Sequence, residues 1–414
     1  MRAQISPPFN SQDPKNAPGR DSAMAHQHTT DYTAQQLQTQ TPTQPQLLAQ
    51  APAPIVLTPA LLGSLKVAKI FKDNTQIITS LDFDDTGGKC VTSAQDESLH
   101  VYDCVTGKLD KTLFSKKYGV HLARFTHRST NVVYASTKED DTLRYLSLHD
   151  NKYIRYFHGH EKKVTALEMS PLDDQFLAGS EDAIRLWDLR SPNCQGAVSI
   201  VGRPAVAFDP SGLVFAVALG STLRLYDVKS FDQGPFASAT IGENLGVNTA
   251  AIVATQLEFS SDGKYILVTT AADAHYIIDA YQPQDTCFRL VGHYSYGNEL
   301  FSSGEEACWT PDGKSVVSGS RDGGVYVWDI ARAIADRATA GFANGSGIGS
   351  TNGLSANSLL GANRELKPFK VLKAHGTPSH IVAFNPKYLM MVSGSTELAF
   401  WEPDPNLSSV GGRF

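Results

Sequence analysis

The stretch Cys308-Trp309-Thr310-Pro311-Asp312-Gly313-Lys314-Ser315-Val316-Val317-Ser318-Gly319-Ser320-Arg321-Asp322-Gly323-Gly324-Val325-Tyr326-Val327-Trp328-Asp329 decides the fold. Thr310-Pro311-Asp312-Gly313 and Arg321-Asp322-Gly323-Gly324 read as turns, with Pro and Gly where a turn requires them. They separate a strand ending at Cys308-Trp309 from strands at 315–320 and 325–329. The inner strands are apolar on both sides, as expected of a sheet covered on both faces. A single unit of this kind cannot cover itself and needs neighbours.

The neighbours are in the chain. Gly292-His293 opens the unit above, and Gly159-His160, Ser170-Pro171, Ala178-Gly179-Ser180, Asp182 and Trp187-Asp188 repeat its plan. Seven strands close on a large apolar residue: Val101-Tyr102-Asp103, Leu143-Arg144-Tyr145-Leu146, Leu186-Trp187-Asp188, Leu225-Tyr226-Asp227, Ile277-Ile278-Asp279, Val327-Trp328-Asp329 and Ala399-Phe400-Trp401. Five of the steps between closing residues span 39 to 52 residues and the last spans 73. A period near 40–45 residues predicts an all-β chain folded as one seven-bladed WD40 β-propeller over residues 65–402. The last unit lacks chain for an outer strand, whereas Leu65-Lys66-Val67-Ala68-Lys69-Ile70-Phe71 alternates with a period of two. We expect this segment to supply the missing strand and remove two exposed edges.

Two segments stand outside the pattern. Residues 1–60, rich in Gln, Pro, Thr and Ala, read as a disordered tail, because they cannot bury enough surface to offset chain entropy. Residues 331–365, dominated by Gly, Ala, Asn and Ser, read as a flexible low-complexity insertion before the last blade, which accounts for the long step. Residues 403–414 form a C-terminal tail. The run Gly345-Ser346-Gly347-Ile348-Gly349 lacks the preceding strand and spacing of a phosphate loop.

A net charge of −6 over 414 residues argues against direct, sequence-specific nucleic-acid binding. No apolar run reaches the roughly 20 residues needed to cross a bilayer, and no N-terminal apolar leader is evident, so neither membrane nor secretion is expected. The five cysteines, Cys90, Cys104, Cys194, Cys287 and Cys308, are widely spaced and read as reduced thiols.

His160, Ser180, Asp182 and Trp187 could pass for a catalytic or metal cluster. Recurrence in His293, Asp322 and Trp328, with Ser318 or Ser320, makes them a structural hydrogen-bond network instead. No hydrolase elbow, zinc spacing or Walker loop is present; Gly313-Lys314-Ser315 is a hairpin turn. We therefore expect no enzyme activity, no metal and no cofactor. Loops entering the blades and turns between second and third strands should share one face. Its candidates for partner binding are Lys116, Lys117, Tyr118, Lys162, Lys163, Arg203 and Arg321, with Lys72, Tyr294 and Tyr296 nearby, interspersed with Glu139, Asp140, Asp141, Glu161, Glu305 and Glu306. Such clusters suit an acidic or phosphorylated peptide. Trp187-Asp188-Leu189-Arg190 also matches the box of cullin-type ubiquitin-ligase substrate receptors, with Arg190 as its contact. A phosphoinositide-binding propeller would need an Arg pair where Phe288-Arg289-Leu290-Val291 has one.

More specific stretches narrow the choice. Ser115-Lys116-Lys117-Tyr118-Gly119-Val120, Leu148-His149-Asp150-Asn151-Lys152-Tyr153-Ile154-Arg155-Tyr156-Phe157-His158-Gly159-His160, Leu186-Trp187-Asp188-Leu189-Arg190-Ser191-Pro192 and Phe231-Asp232-Gln233-Gly234-Pro235-Phe236 resemble the Swd-type WD-repeat subunit of the COMPASS histone lysine methyltransferase. The resemblance covers about residues 65–402. It implies a nuclear, non-catalytic scaffold docking the N-terminal region of the methyltransferase catalytic subunit. It further implies links to the phosphorylated C-terminal domain of RNA polymerase II and to the cleavage/polyadenylation factor with its phosphatase subunits, in transcription termination and mRNA 3'-end processing. The Gln-rich tail and the 331–365 insertion depart from the family pattern.

Overall fold

The computed structural model describes residues 56–295, 305–344, 364–373 and 375–404. Seven sheets follow one another, each essentially a four-stranded antiparallel blade. The first six innermost strands are Ile78–Phe83, His121–Phe125, Val164–Met169, Pro204–Phe208, Ala254–Phe259 and Ala307–Trp309, and Ile381–Phe384 is the seventh. The quoted turns form as read: the Gly313 amide donates to the Thr310 carbonyl at 2.8 Å, with Gly313 at φ 65°. At Gly323, φ is 79° and a Cβ would stand 2.3 Å from the His375 carbonyl oxygen, so only glycine fits.

The core is divided among the blade interfaces. Among the described residues there are seven buried apolar clusters, one between each pair of neighbouring blades. That between the seventh and first blades joins Val392, Leu398 and Phe400 to Ile78, Cys90 and Tyr102, so the ring is closed. The strand-closing residues Tyr102, Leu146, Trp187, Tyr226, Ile278, Trp328 and Trp401 are all buried in these seams.

Closure uses the N-terminal strand. Leu65–Phe71 pairs antiparallel with Leu398–Pro403, from Leu65 opposite Pro403 to Phe71 opposite Leu398. Phe71 then packs on Tyr102 at 4.7 Å and Phe400 at 5.1 Å, linking first and last blades. Just before it, Thr58 caps the helical turn Pro59–Leu62, whose Leu62 is buried; the chain is thus ordered from within the span read as tail, and residues 1–55 lie outside the described residues.

The insertion does not sit between blades. It interrupts the sixth, whose outer strand Lys370–Lys373 pairs with Gly324–Asp329 only after it. Residues 330–344 form an α-helix, where composition alone suggested a loop; Ile330, Ala333 and Ile334, at i, i+3 and i+4, pack into the seam between blades five and six. Residues 345–363 lie outside the described residues. On the return, Glu365–Leu366 adds a parallel fifth strand to the fifth blade. Asp285 ties both ends down, accepting from Arg337 at 2.7 Å and from Arg364 at 2.8 Å.

Candidate functional site

The loops entering the blades and the turns between second and third strands share one face. The Thr137 amide donates to the Tyr118 carbonyl at 2.9 Å, Gly202 to Glu181 at 3.1 Å and Arg321 to Tyr294 at 2.9 Å. Gly119, at φ 69°, tightens the 115–120 loop, and a Cβ there would collide with Thr137 Oγ1. Lys116 and Lys117 are thereby held out in solvent, while Tyr118 lies 3.6 Å over the Arg144 guanidinium. Arg144 is buried and forms a bidentate pair with Asp140 at 2.9 and 2.9 Å. Burial raises the Asp140 carboxyl, but the Arg144 bonds prevail and hold it below its usual range.

Lys162 and Lys163 are exposed at the entrance to the third blade, and neither forms an ion pair among the described residues. His121, at the start of the innermost strand of the second blade, is half-buried and within electrostatic reach of Arg124, Arg203 and Lys163. Burial first, then the three cations, drives His121 down to about 3, so it stays neutral. This quarter of the rim, from the second blade to the fourth, gathers Lys116, Lys117, Lys162 and Lys163 among exposed acids, Glu139, Asp140, Glu161 and Glu181. Arg321 stands apart on the sixth blade, and Lys72 is paired with Glu397 at 2.8 Å. Tyr294 is 58% exposed; Tyr296 lies outside the described residues.

Glu305 and Glu306 are not rim acids: both are buried. Glu305 reaches into the channel, where it accepts from Arg124 of the second blade at 2.5 Å and from the Leu81 amide of the first at 2.9 Å. Around this pair runs a belt that sequence reading missed. Asp82 accepts from the Phe125 amide at 2.7 Å, Arg124 donates to the Leu167 carbonyl at 3.1 Å and Glu258 accepts from the Trp309 amide at 2.9 Å. Each bond joins one innermost strand to the next, so the belt fastens blades together at the channel wall. Burial pushes Asp82 and Glu168 up to about 7 and Glu258 to about 8; for Asp82 and Glu168 this prevails over the pull of Arg124. The signal was present as a charged residue inside a recurring pattern: Leu81-Asp82-Phe83, Ala123-Arg124-Phe125, Leu167-Glu168-Met169 and Leu257-Glu258-Phe259. These groups line a cavity of about 530 Å³.

The structural network assembles unequally. In the third blade His160 Nδ1 and the Ser180 hydroxyl are 2.6 Å apart, and that hydroxyl donates to Asp182 at 2.7 Å. Trp187 packs 6.3 Å from His160, yet its indole N–H has no hydrogen-bond partner among the described residues. In the sixth blade the parts are drawn elsewhere. Asp322 accepts from the Tyr326 hydroxyl at 2.7 Å, the Trp328 indole donates to the Val291 carbonyl at 3.3 Å and Ser318 meets His275 at 3.0 Å. His293 stacks on His275 with ring centres 4.1 Å apart. The seventh blade holds the series that was not foreseen: His375 to Ser393 at 2.7 Å, and the Trp401 indole to Ser393 at 2.8 Å.

The two alternative contacts are engaged within the chain. Arg190 folds back on Asp188, with Nε at 2.9 Å and Nη2 at 2.6 Å from its oxygens. Arg289 pairs with Glu365 of the added strand. The cysteines are all free; Cys90, Cys287 and Cys308 are buried. Among the described residues no cluster has the makings of a metal site, and no helix is long and apolar enough to cross a membrane.

Comparison with known proteins agrees with the repeat. The WD domain, G-beta repeat model matches residues 65–103, 151–188 and 306–329. WD repeat-containing protein 82 of Drosophila melanogaster is 40% identical over 351 residues, covering 84% of this chain and 98% of that protein. The Set1 complex component swd2 of Schizosaccharomyces pombe is 38% identical, covering 84% and 99%. The COMPASS component SWD2 of Saccharomyces cerevisiae is 34% identical, covering 79% and 91%. Identity at this level over whole propellers shows descent from a common toroid, and the chain belongs to the Swd2 and WD repeat-containing protein 82 family.

Proposed function

We propose that this chain is a non-catalytic scaffold subunit of a nuclear, COMPASS-type histone methyltransferase complex. The observation that carries the reading is the match, over 84% and 79% of this chain, to relatives whose names place them in the Set1 and COMPASS complexes. A closed ring with separate rim and loop surfaces suits a subunit that holds several chains at once. On this reading one partner is the N-terminal region of the methyltransferase catalytic subunit. The basic cluster of Lys116, Lys117, Lys162, Lys163 and Arg203 receives an acidic or phosphorylated peptide, with the phosphorylated C-terminal domain of RNA polymerase II as its source. The same platform serves the cleavage/polyadenylation factor and its phosphatase subunits.

Two other readings rest on single residues: a ubiquitin-ligase receptor through Arg190, which stands 72% exposed beside Asp188, and a phosphoinositide site through Arg289, which has no Arg partner and pairs with Glu365. Charge reversal tests the rim. Replacing Lys116, Lys117, Lys162 and Lys163 by Glu weakens binding of a phosphorylated polymerase-tail peptide at least tenfold and flattens its salt dependence. Unchanged affinity in the reversed variant rejects the rim as the phosphopeptide site.

A further inference from the structure

The upper outer edge of the first two blades carries an aromatic surface, part of which, Tyr153, also packs into the seam between them, while Phe114, Ile154 and Tyr156 face solvent. Phe114 ends the outer strand of the first blade and is 59% exposed; Ile154 and Tyr156, on the outer strand of the second, are 46% and 41% exposed. The rings form a ladder. Tyr118 and Tyr153 are 6.3 Å apart, Tyr153 and Tyr156 5.4 Å, and Tyr156 stacks on His158 at 6.2 Å. The ladder is held rigid from beneath. The Tyr153 hydroxyl is 3.0 Å from that of Tyr134, which is 3.0 Å from the Ser115 hydroxyl. Arg144, fixed by Asp140, lies 3.6 Å from the Tyr118 ring centre and 5.8 Å from that of Tyr156.

Two features select the ligand. Arg144 already occupies the cationic position between Tyr118 and Tyr156, so a second cation is not what the rings receive. Successive fixed rings on an open surface suit a polyproline-type segment, which is extended beforehand and loses little entropy on docking. At one end Lys116 lies 5.3 Å from the Phe114 ring and Lys117 lies 4.9 Å from that of Tyr118. Neither lysine forms an ion pair among the described residues, although Lys117 is held by the Tyr118 hydroxyl and, more weakly, by Glu139. Lys116 therefore offers the more available charge. We propose that the Phe114–Tyr118–Tyr153–Tyr156 surface docks an extended proline-rich segment of a partner, with an acidic residue or phosphate of that segment meeting Lys116 and Lys117. The lysine end rests on the rim reading above; the aromatic part stands without it.

Fluorescence anisotropy on the full chain tests this with two labelled peptides, one of Glu-Pro-Pro repeats and one of Glu-Ser-Ser repeats. The proline peptide is expected to bind about tenfold more tightly. Phe114→Ala with Tyr156→Ala erases that preference, whereas Tyr156→Phe keeps it; both sites are exposed, and a thermal melt verifies the fold of each variant. Equal binding of the two peptides by the parent chain, binding of neither, or a preference that survives the double alanine variant overturns the proposal. Lys116→Glu with Lys117→Glu weakens both peptides; if it weakens neither, the rim reading fails while a proline preference still supports the aromatic site.

Discussion

Arg124, on the innermost strand of the second blade, and Glu305, on the loop entering the sixth, meet at 2.5 Å across the central channel. Their side chains are 11% and 7% exposed, and Asp82, Glu168 and Glu258 stand around them. Arg124 is the only cation among these belt groups, so its removal leaves several half-buried carboxyls along the channel wall without a counter-charge.

Arg124→Ala is expected to destabilise the chain by about 3–5 kcal/mol, because it leaves the buried Glu305 carboxylate without its cation. Combining Arg124→Met with Glu305→Gln keeps the acceptor for the Leu81 amide and restores most of the loss. Denaturant unfolding of both variants checks the order; equal losses would assign the ion pair no compensating role.

Belt and network histidines pull stability in opposite directions with pH. Glu258 titrates near 8 in the fold against an ordinary 4.5, so between these values the folded chain holds a proton that the unfolded chain has released. Its contribution to stability thus declines as pH rises through that window. His121 near 3 and His160 near 4, against 6.5, are protonated first in the unfolded chain, so theirs is lost as pH falls below 6.5. In Glu258→Gln the melting temperature relative to the parent chain should be higher at pH 8 than at pH 5. A constant difference would contradict the assignment.

Ring closure depends on residues 65–71. Removing residues 1–71 is expected to abolish cooperative unfolding and expose the edge of Leu398–Pro403, while removing 1–55 leaves the melting temperature unchanged. Calorimetry of the two truncations gives the comparison, and a cooperative transition in the longer one would refute the closure.

Ser393 joins His375 to Trp401, and both partners bond its hydroxyl. Ser393→Ala leaves the Trp401 indole N–H buried without an acceptor and should cost about 1–3 kcal/mol. Ser180→Ala leaves the Trp187 indole as it was and should cost less, which side-by-side urea titrations can resolve.

Asp285 accepts from both Arg337 and Arg364, one from each side of the insertion. Asp285→Ala should speed limited proteolysis between residues 332 and 364 while the propeller melts within about 1 kcal/mol of the parent. A large loss of global stability would mean that the clamp supports the blades and not only the insertion.

The architecture was readable because it depends on residues with strong local preferences. Turns such as Thr310-Pro311-Asp312-Gly313 and buried closing residues such as Trp328 and Trp401 mark each blade by themselves. The alternating segment at 65–71 was readable by elimination, since the last blade lacked a strand. Side-chain partnerships were less legible. Asp322 repeats Asp182 in the sequence, yet Tyr326 captures it, a competition that spacing does not express. Glu305 looked like a surface acid, because its partners lie 181 and 224 residues away along the chain. The helix at 330–344 was hidden by an Ala-rich composition that also suits a linker, although the spacing of Ile330, Ala333 and Ile334 was in view.

Affinity purification of the tagged full chain from nuclear extract, with quantification of co-eluting proteins, tests the scaffold reading most directly. The account predicts a histone methyltransferase catalytic subunit in near-stoichiometric amount, retained after removal of residues 1–55 and lost after removal of 1–71. Recovery of the intact ring without any methyltransferase subunit would contradict it.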